Sequence, residues 1–282
     1  MDSLAWCRGR LLVPGNPLTA TLPFADETMR DAILALRAAV SEIAQGGSID
    51  SEPDVARARL GWWRQALRED NAHPAIQALV QAGVLERINV EAFDELIAGV
   101  AASVDHPRFE NSTEARAFFT RIGGPQTALE ARLVGGPQAP VDAMRELGAS
   151  GYQIRVVRDL AIDARANRWL VPLDLQADFQ IARRDVVEGR TGPAFDGLVR
   201  ALLDDALQRG NRAVATLSAG TAWQQRHLIM QWRLDQRLAA RIGRRPGRAV
   251  ERRILTGHIG NVVSAWREAR RLRRAARQAG VL

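Results

Sequence analysis

Cysteine occurs once in this chain, at Cys7, which leaves no partner for an internal disulfide and no cysteine-based zinc site. Lysine does not occur at all, so the 39 basic residues are all arginine; codon bias in a GC-rich genome accounts for this better than a need for guanidinium chemistry. No apolar run approaches the ~18 residues that a membrane span requires. The opening MDSLAWCRGRLLVPG lacks the apolar core of about 7–15 residues found in a secretory signal. A cytoplasmic location, with peripheral attachment to the inner membrane as a further option, is the expectation. Alternating strand patterns are scarce, and neither a repeat of fixed period nor a low-complexity segment is present.

What is present is an ordinary globular composition, 282 residues with 46% hydrophobic and 25% charged. The net charge of +7 is unevenly spread. From Trp232 onward 14 arginines face Asp235, Glu251 and Glu268, a net of +11, whereas the preceding 231 residues carry 25 arginines and 29 acids, a net of −4. Such asymmetry predicts an anionic partner for the C-terminal part: phospholipid, nucleic acid or an acidic protein. No nucleic-acid-binding module accompanies it, so an anionic membrane surface is expected rather than nucleic acid.

Helical periodicity dominates. DETMRDAILALRAAVSEIAQ (26–45) has Asp26 as a cap, an apolar stripe through Met29, Ile33, Leu36, Val40 and Ile43, and a Gly46-Gly47 stop. EPDVARARLGWWRQALRE (52–69) places Pro53 in the first turn, where its missing N–H costs nothing. His73-Pro74 reads as a helix start, and adjacent Trp62 and Trp63 can set one ring in the core and the other at its edge. VDAMRELGASGYQIRVVRDLAIDARA (141–166) reads as one long helix whose Gly148 and Gly151 permit close backbone approach. Further helices are expected at 174–188, 192–208, 211–241 and 249–278. Gly-Gly-Pro at 123–125 and at 135–137 punctuates the chain, but neither flank can build a core alone. The expectation is an all-α protein, one domain over 1–282 forming an antiparallel helical bundle, with an Arg-rich C-terminal segment 249–282.

RDLAIDARANRWLVP (158–172) poses the functional question. Asp159 and Asp163 stand four apart on one helical face, where like charges repel by a few tenths of a kcal/mol. A metal ion, neighbouring arginines, or plain solvation can each account for them.

Three segments together resemble the squalene/phytoene synthase family: LPFADETMRDAILAL, ARLGWWRQALREDNAHPAIQAL and LGASGYQIRVVRDLAIDARANRWLVPLDL. Arg158, Asp159, Asp163, Arg168 and Pro172 fall on the family's second aspartate-rich motif and its tail. The resemblance implies an isoprenoid synthase fold, with helices around a central apolar cavity and two aspartate-rich motifs at its mouth. It also implies Mg²⁺ held between those motifs and the diphosphate of an isoprenoid substrate. The metal neutralises the leaving group as a Lewis acid, and carboxylates suit it because Mg²⁺ prefers hard oxygen donors.

The chain departs from that pattern. On the first motif, Ser41, Glu42 and Gln45 occupy the acidic positions, and Glu42 alone keeps a carboxylate. Arg155 stands where the family has a metal-side asparagine, and Tyr152 lies near an expected glutamine. The resemblance thus assigns Asp159, Asp163 and Glu42 to catalysis, with Asp159 and Asp163 as weak Mg²⁺ ligands. Arg155, Arg158 and Arg168 are assigned to the diphosphate. Arg155 is one turn before Asp159, close enough for an internal ion pair. A guanidinium keeps its charge at any ordinary pH and clamps phosphate well. The expected function is isoprenoid diphosphate or lipid binding, with head-to-head prenyl transfer weakened or lost. The eroded first motif also resembles a branch that includes complex I assembly factors, so a non-enzymatic membrane-associated assembly factor or scaffold is the alternative.

Overall fold

The computed structural model describes residues 2–47, 52–69 and 72–282, and these contain helices and turns but no strand. The N-terminal layer comprises α1 (Ser3–Leu11), α2 (Pro17–Thr21), α3 (Arg30–Gly46), α4 (Pro53–Ala66), α5 (Pro74–Gln81), α6 (Val84–Arg87) and α7 (Ala92–Val104). Its core gathers Ile33, Leu36 and Ile43 of α3 with Leu79, Phe93 and Ile97, all with almost no exposure. Burying each such side chain contributes about 1.5–3 kcal/mol.

Two long helices, α8 (Ser112–Gly135) and α9 (Val141–Arg165), form the centre. They run antiparallel, since Gly123 meets Gly148 while Thr127 Oγ1 donates to the Met144 carbonyl. Around them lie α10 (Leu173–Phe179), α11 (Arg183–Val187), α12 (Pro193–Ala215), α13 (Ala219–Gln224), α14 (Arg226–Arg244), α15 (Arg248–Glu251) and α16 (His258–Gln278). A second core joins Ile154, Val157 and Leu160 of α9 to Phe195 and Leu198 of α12 and to Leu228 and Trp232 of α14.

Several helix ends differ from the sequence reading, each for a local reason. Asp26 accepts from Thr28 N and caps a 3₁₀ turn, Glu27–Met29, so the α-helix begins only at Arg30. Gly123, Gly124 and Pro125 do not interrupt α8. A Cβ on Gly123 would lie 2.5 Å from the Gly148 carbonyl oxygen, so these glycines are the contact surface of a helix pair. Gly210 likewise sits inside α12, because a Cβ there would come within 2.4 Å of the Trp232 ring. The 174–188 segment breaks at Gln180, whose φ of 53° ends α10. The 249–278 segment divides into α15 and α16. His73 caps α5 by accepting from Ala75 N at 3.2 Å, Trp63 is buried and Trp62 exposed.

Candidate functional site

A cavity of about 280 Å³ opens between α3, α8, α9 and α14, closed on one side by residues 15–18 and on another by Leu255 and Thr256. Leu147, Leu228, Trp232, Leu234 and Leu238 give it apolar walls, and Arg37, Arg155, Arg158, Gln231 and Asp235 supply its polar groups. Its size is near the lower end of the roughly 300–1,000 Å³ usual for ligand pockets.

Arg155 reaches Asp235 rather than Asp159, with Nη1 3.4 Å from Oδ1 and 3.5 Å from Oδ2. The one-turn ion pair expected along α9 therefore does not form; α14 brings a carboxylate to Arg155 instead. Gly151 makes room for it, since a Cβ there would be 2.5 Å from Asp235 Oδ2. Burial pushes the Asp235 carboxyl above its ordinary range, with Arg155 acting against that shift.

Asp159 is held by two guanidinium groups. Arg158 donates to it through Nε at 2.9 Å, and Arg253 donates through Nε and Nη2 at 2.7 and 2.9 Å. Burial alone would raise this carboxyl; the hydrogen bonds from Arg158 and Arg253 outweigh it and hold it below its ordinary value. Asp163 is buried and accepts from Arg168 Nη2 at 2.6 Å, while its Oδ2 has no hydrogen-bond partner. Here burial wins, and the carboxyl is raised despite Arg168.

Glu42 is not brought to this cavity. It pairs with Arg10 of α1, on another side of α3 from Arg37. The α3 residue that does line the cavity is Arg37, whose Nε is 2.5 Å from Glu130 Oε1. Glu130 is fully buried, accepts from Gln126 at 3.2 Å, and lies 3.5 Å from His227 Nε2. Its burial favours the neutral acid, but Arg37 and then His227 hold it below its ordinary value. Burial lowers His227, against the pull of Glu130, so its imidazole is neutral at pH 7.

Sequence reasoning missed Arg37, Glu130, His227 and Asp235. A signal existed for two of them. Arg37 interrupts the stripe Ile33, Leu36, Val40, and Asp235 falls in the stripe Leu228, Trp232, Ala239, Ile242. A charge inside a buried stripe calls for a partner on a facing element. Glu130 and His227 gave no comparable signal, since pairing them requires knowing that α8 and α14 meet.

Arg37, Arg155 and Arg158 line the cavity against Asp235, while Glu130 and Asp159, which pair with Arg37 and with Arg158 and Arg253, lie outside that lining, so the lining itself carries a positive surplus. That field attracts anions. The donor set does not fit Mg²⁺. Among the described residues no three acidic, histidine or cysteine side chains come together as ligands. Asp159, the carboxylate nearest Arg158, is already engaged by two guanidiniums. A divalent ion ~4 Å from one of them meets roughly 8 kcal/mol of repulsion at an effective dielectric of ~20, which offsets its attraction to Asp159 at a like distance, and the second guanidinium tips the balance against it.

The sequence profile described as Squalene/phytoene synthase matches residues 16–267. A bifunctional lycopene cyclase/phytoene synthase of Gibberella fujikuroi is 29% identical over 114 residues, 37% of this chain and 20% of that protein. Phytoene synthase of Thermus thermophilus is 23% identical over 158 residues, 55% of each chain. The matched segments thus span from a fifth to about half of these relatives. Among solved structures, a dehydrosqualene synthase in complex with ligand superposes with a TM-score of 0.81 at 13% identity, covering 96% of this chain and 97% of that one. Squalene synthase HpnC from Alicyclobacillus acidocaldarius gives 0.71 at 16% identity, covering 87% and 94%. At such identities the likeness establishes the shared helical fold.

Proposed function

Because the chain belongs to the squalene/phytoene synthase family and carries guanidinium groups at its cavity mouth, we propose that it binds an isoprenoid diphosphate, or a lipid of similar shape and charge, through arginine. Head-to-head condensation is weakened or lost. The observation that carries this reading is the double clamp of Arg158 and Arg253 on Asp159. Arg155 and Arg158 face the cavity and supply bidentate donors for phosphate oxygens. The apolar side of the cavity, Leu228, Trp232 and Leu238, takes a hydrocarbon tail and excludes water from it. Its volume suits one modest chain better than two. Arginine replaces part of the charge that ionisation of an allylic diphosphate needs but not oriented metal–oxygen coordination, and every 1.36 kcal/mol lost costs tenfold in rate.

Calorimetry with inorganic pyrophosphate in the presence of a chelator tests the binding. We expect an interaction that weakens about tenfold or more on Arg158→Ala, the loss of one charge-assisted contact. Absence of binding without Mg²⁺, or indifference to Arg158→Ala, rejects the reading. Incubation with farnesyl or geranylgeranyl diphosphate and Mg²⁺ tests the chemistry. A squalene- or phytoene-like hydrocarbon formed at roughly 1 s⁻¹ or faster would show that condensation is retained.

The basic surface of α16 supports a second reading, a non-enzymatic assembly factor or scaffold at an anionic membrane. No helix among the described residues is long and apolar enough to cross a bilayer.

A further inference from the structure

One stripe runs the length of α16 on its outer side. Ile259, Val262, Val263 and Trp266 recur at helical spacing and are exposed, Ile259 at 80% and Trp266 at 45%. On the opposite side Asn261, Ala265, Leu272 and Ala276 are buried where the helix packs on α14, α13 and α2. Arg270, Arg273, Arg274 and Arg277 continue the outer stripe, so its first two turns are apolar and the rest cationic. The Arg270 guanidinium stacks 4.7 Å above the Trp266 ring and joins the two halves. Among the described residues the ion pair on this helix is Arg271 with Glu268, which leaves the four stripe arginines without carboxylate partners. Four residues before Ile259 along the chain, exposed Leu255 and its neighbour Thr256 form part of the cavity lining.

A single exposed aliphatic residue is unremarkable, but a continuous apolar stripe rimmed by charge marks a contact surface. We propose that this stripe docks the chain on an anionic lipid bilayer. Ile259, Val263 and Trp266 enter the boundary between headgroups and acyl chains, while the arginines lie on lipid phosphates. Docked in this way, the Leu255 edge of the cavity faces the bilayer, and a hydrocarbon tail passes from lipid to cavity along an apolar track. This rests on the reading that the cavity holds a lipid-tailed anion. Nucleic acid would satisfy the arginines but offers no apolar phase for Ile259 and Val263.

Sedimentation with vesicles of phosphatidylglycerol and phosphatidylcholine, at about 0.15 M salt, tests the proposal against vesicles of phosphatidylcholine alone. We expect binding to the anionic vesicles, reduced about tenfold or more in Ile259→Ser/Val263→Ser, since the exchange removes most of the inserted aliphatic surface. Both positions are exposed, so the variant folds, which circular dichroism checks. Lipids brominated in their acyl chains should quench tryptophan emission, and Trp266→Phe should remove that quenching. Wild-type sedimentation by the double variant, or quenching unchanged in Trp266→Phe, overturns the proposal. So does polynucleotide binding without vesicle binding. Pyrophosphate calorimetry on the same samples separates the two readings: its failure with vesicle docking intact brings down the cavity reading, and the reverse brings down the docking surface.

Discussion

Replacing Asp235 with Asn tests whether a carboxylate of the protein now occupies the place of an anionic ligand. In the structure Asp235 is 6% exposed and sits 3.4 Å from Arg155 Nη1. At that separation the gross attraction is about 5 kcal/mol with an effective dielectric of ~20. Breaking a buried pair ordinarily costs about 3–5 kcal/mol because one charge is left without a partner. Arg155, however, keeps 37% of its side chain exposed toward the cavity. Water there screens it, so the expected loss for Asp235→Asn is smaller, about 1–2 kcal/mol. The freed guanidinium should then bind pyrophosphate about tenfold more tightly than wild type, equivalent to ~1.4 kcal/mol. Thermal melts at rising pyrophosphate concentration read both effects together, since a ligand specific to the folded state stabilises by RT ln(1 + [L]/Kd). The variant should start below wild type and gain more at each concentration. An equal or smaller gain would refute the idea that Asp235 and an anion compete for Arg155.

Truncating Glu130 to Ala should cost about 3–5 kcal/mol in denaturant melts, because Arg37 is then left largely buried without its carboxylate. Asp159 and Glu130 are both held below their ordinary values and bind fewer protons folded than unfolded. Their contribution is complete above about pH 4–4.5, the unfolded values, and drains away as pH falls through the folded ones; Asp159→Asn should flatten that acid limb in pH-dependent melts. Asp235 carries the opposite sign, being raised, so the stability it removes at neutral pH returns on acidification. Mg²⁺ titrated into the free protein should give no micromolar binding by calorimetry, whereas an Arg158→Asn/Arg253→Asn variant, which unclamps Asp159, should gain measurable affinity. Gly148→Ala should lose roughly 3 kcal/mol or more in denaturant melts, as its Cβ would lie 2.2 Å from both the Gly123 carbonyl oxygen and Thr127 Oγ1.

Periodicity revealed the helices because their apolar stripes are continuous, and α9 ends within a residue of the sequence reading. It misjudged Gly123, Gly124 and Gly210. A glycine kept for a neighbouring backbone or a tryptophan ring has the same appearance in sequence as one that ends a helix. The RDxxxD segment draws attention to α9, but its local pattern does not show what its aspartates contact. Arg253 lies 94 residues from Asp159 and Asp235 lies 80 from Arg155, and no local pattern encodes pairings at that separation. Glu42 is the one acid retained at the positions of the first motif. The turn of the helix instead presents Arg37 to the cavity and leaves Glu42 to Arg10.

The glycine contact between α8 and α9 has a consequence for how this cavity changes shape. Two backbones that touch cannot slide without lifting apart, so these walls move as one slab, and their amides should exchange with solvent mainly on global unfolding. The facing wall is built differently. Leu228, Trp232 and Leu238 meet the cavity through side chains, and Leu255 and Thr256 belong to the irregular stretch between α15 and α16. Side chains re-pack where backbones do not. A relative whose cavity takes a longer ligand is therefore expected to differ along α14 and the 252–257 stretch while retaining the small residues at 123, 124 and 148. The cavity has one fixed wall and one adjustable wall, and its capacity is set by the latter.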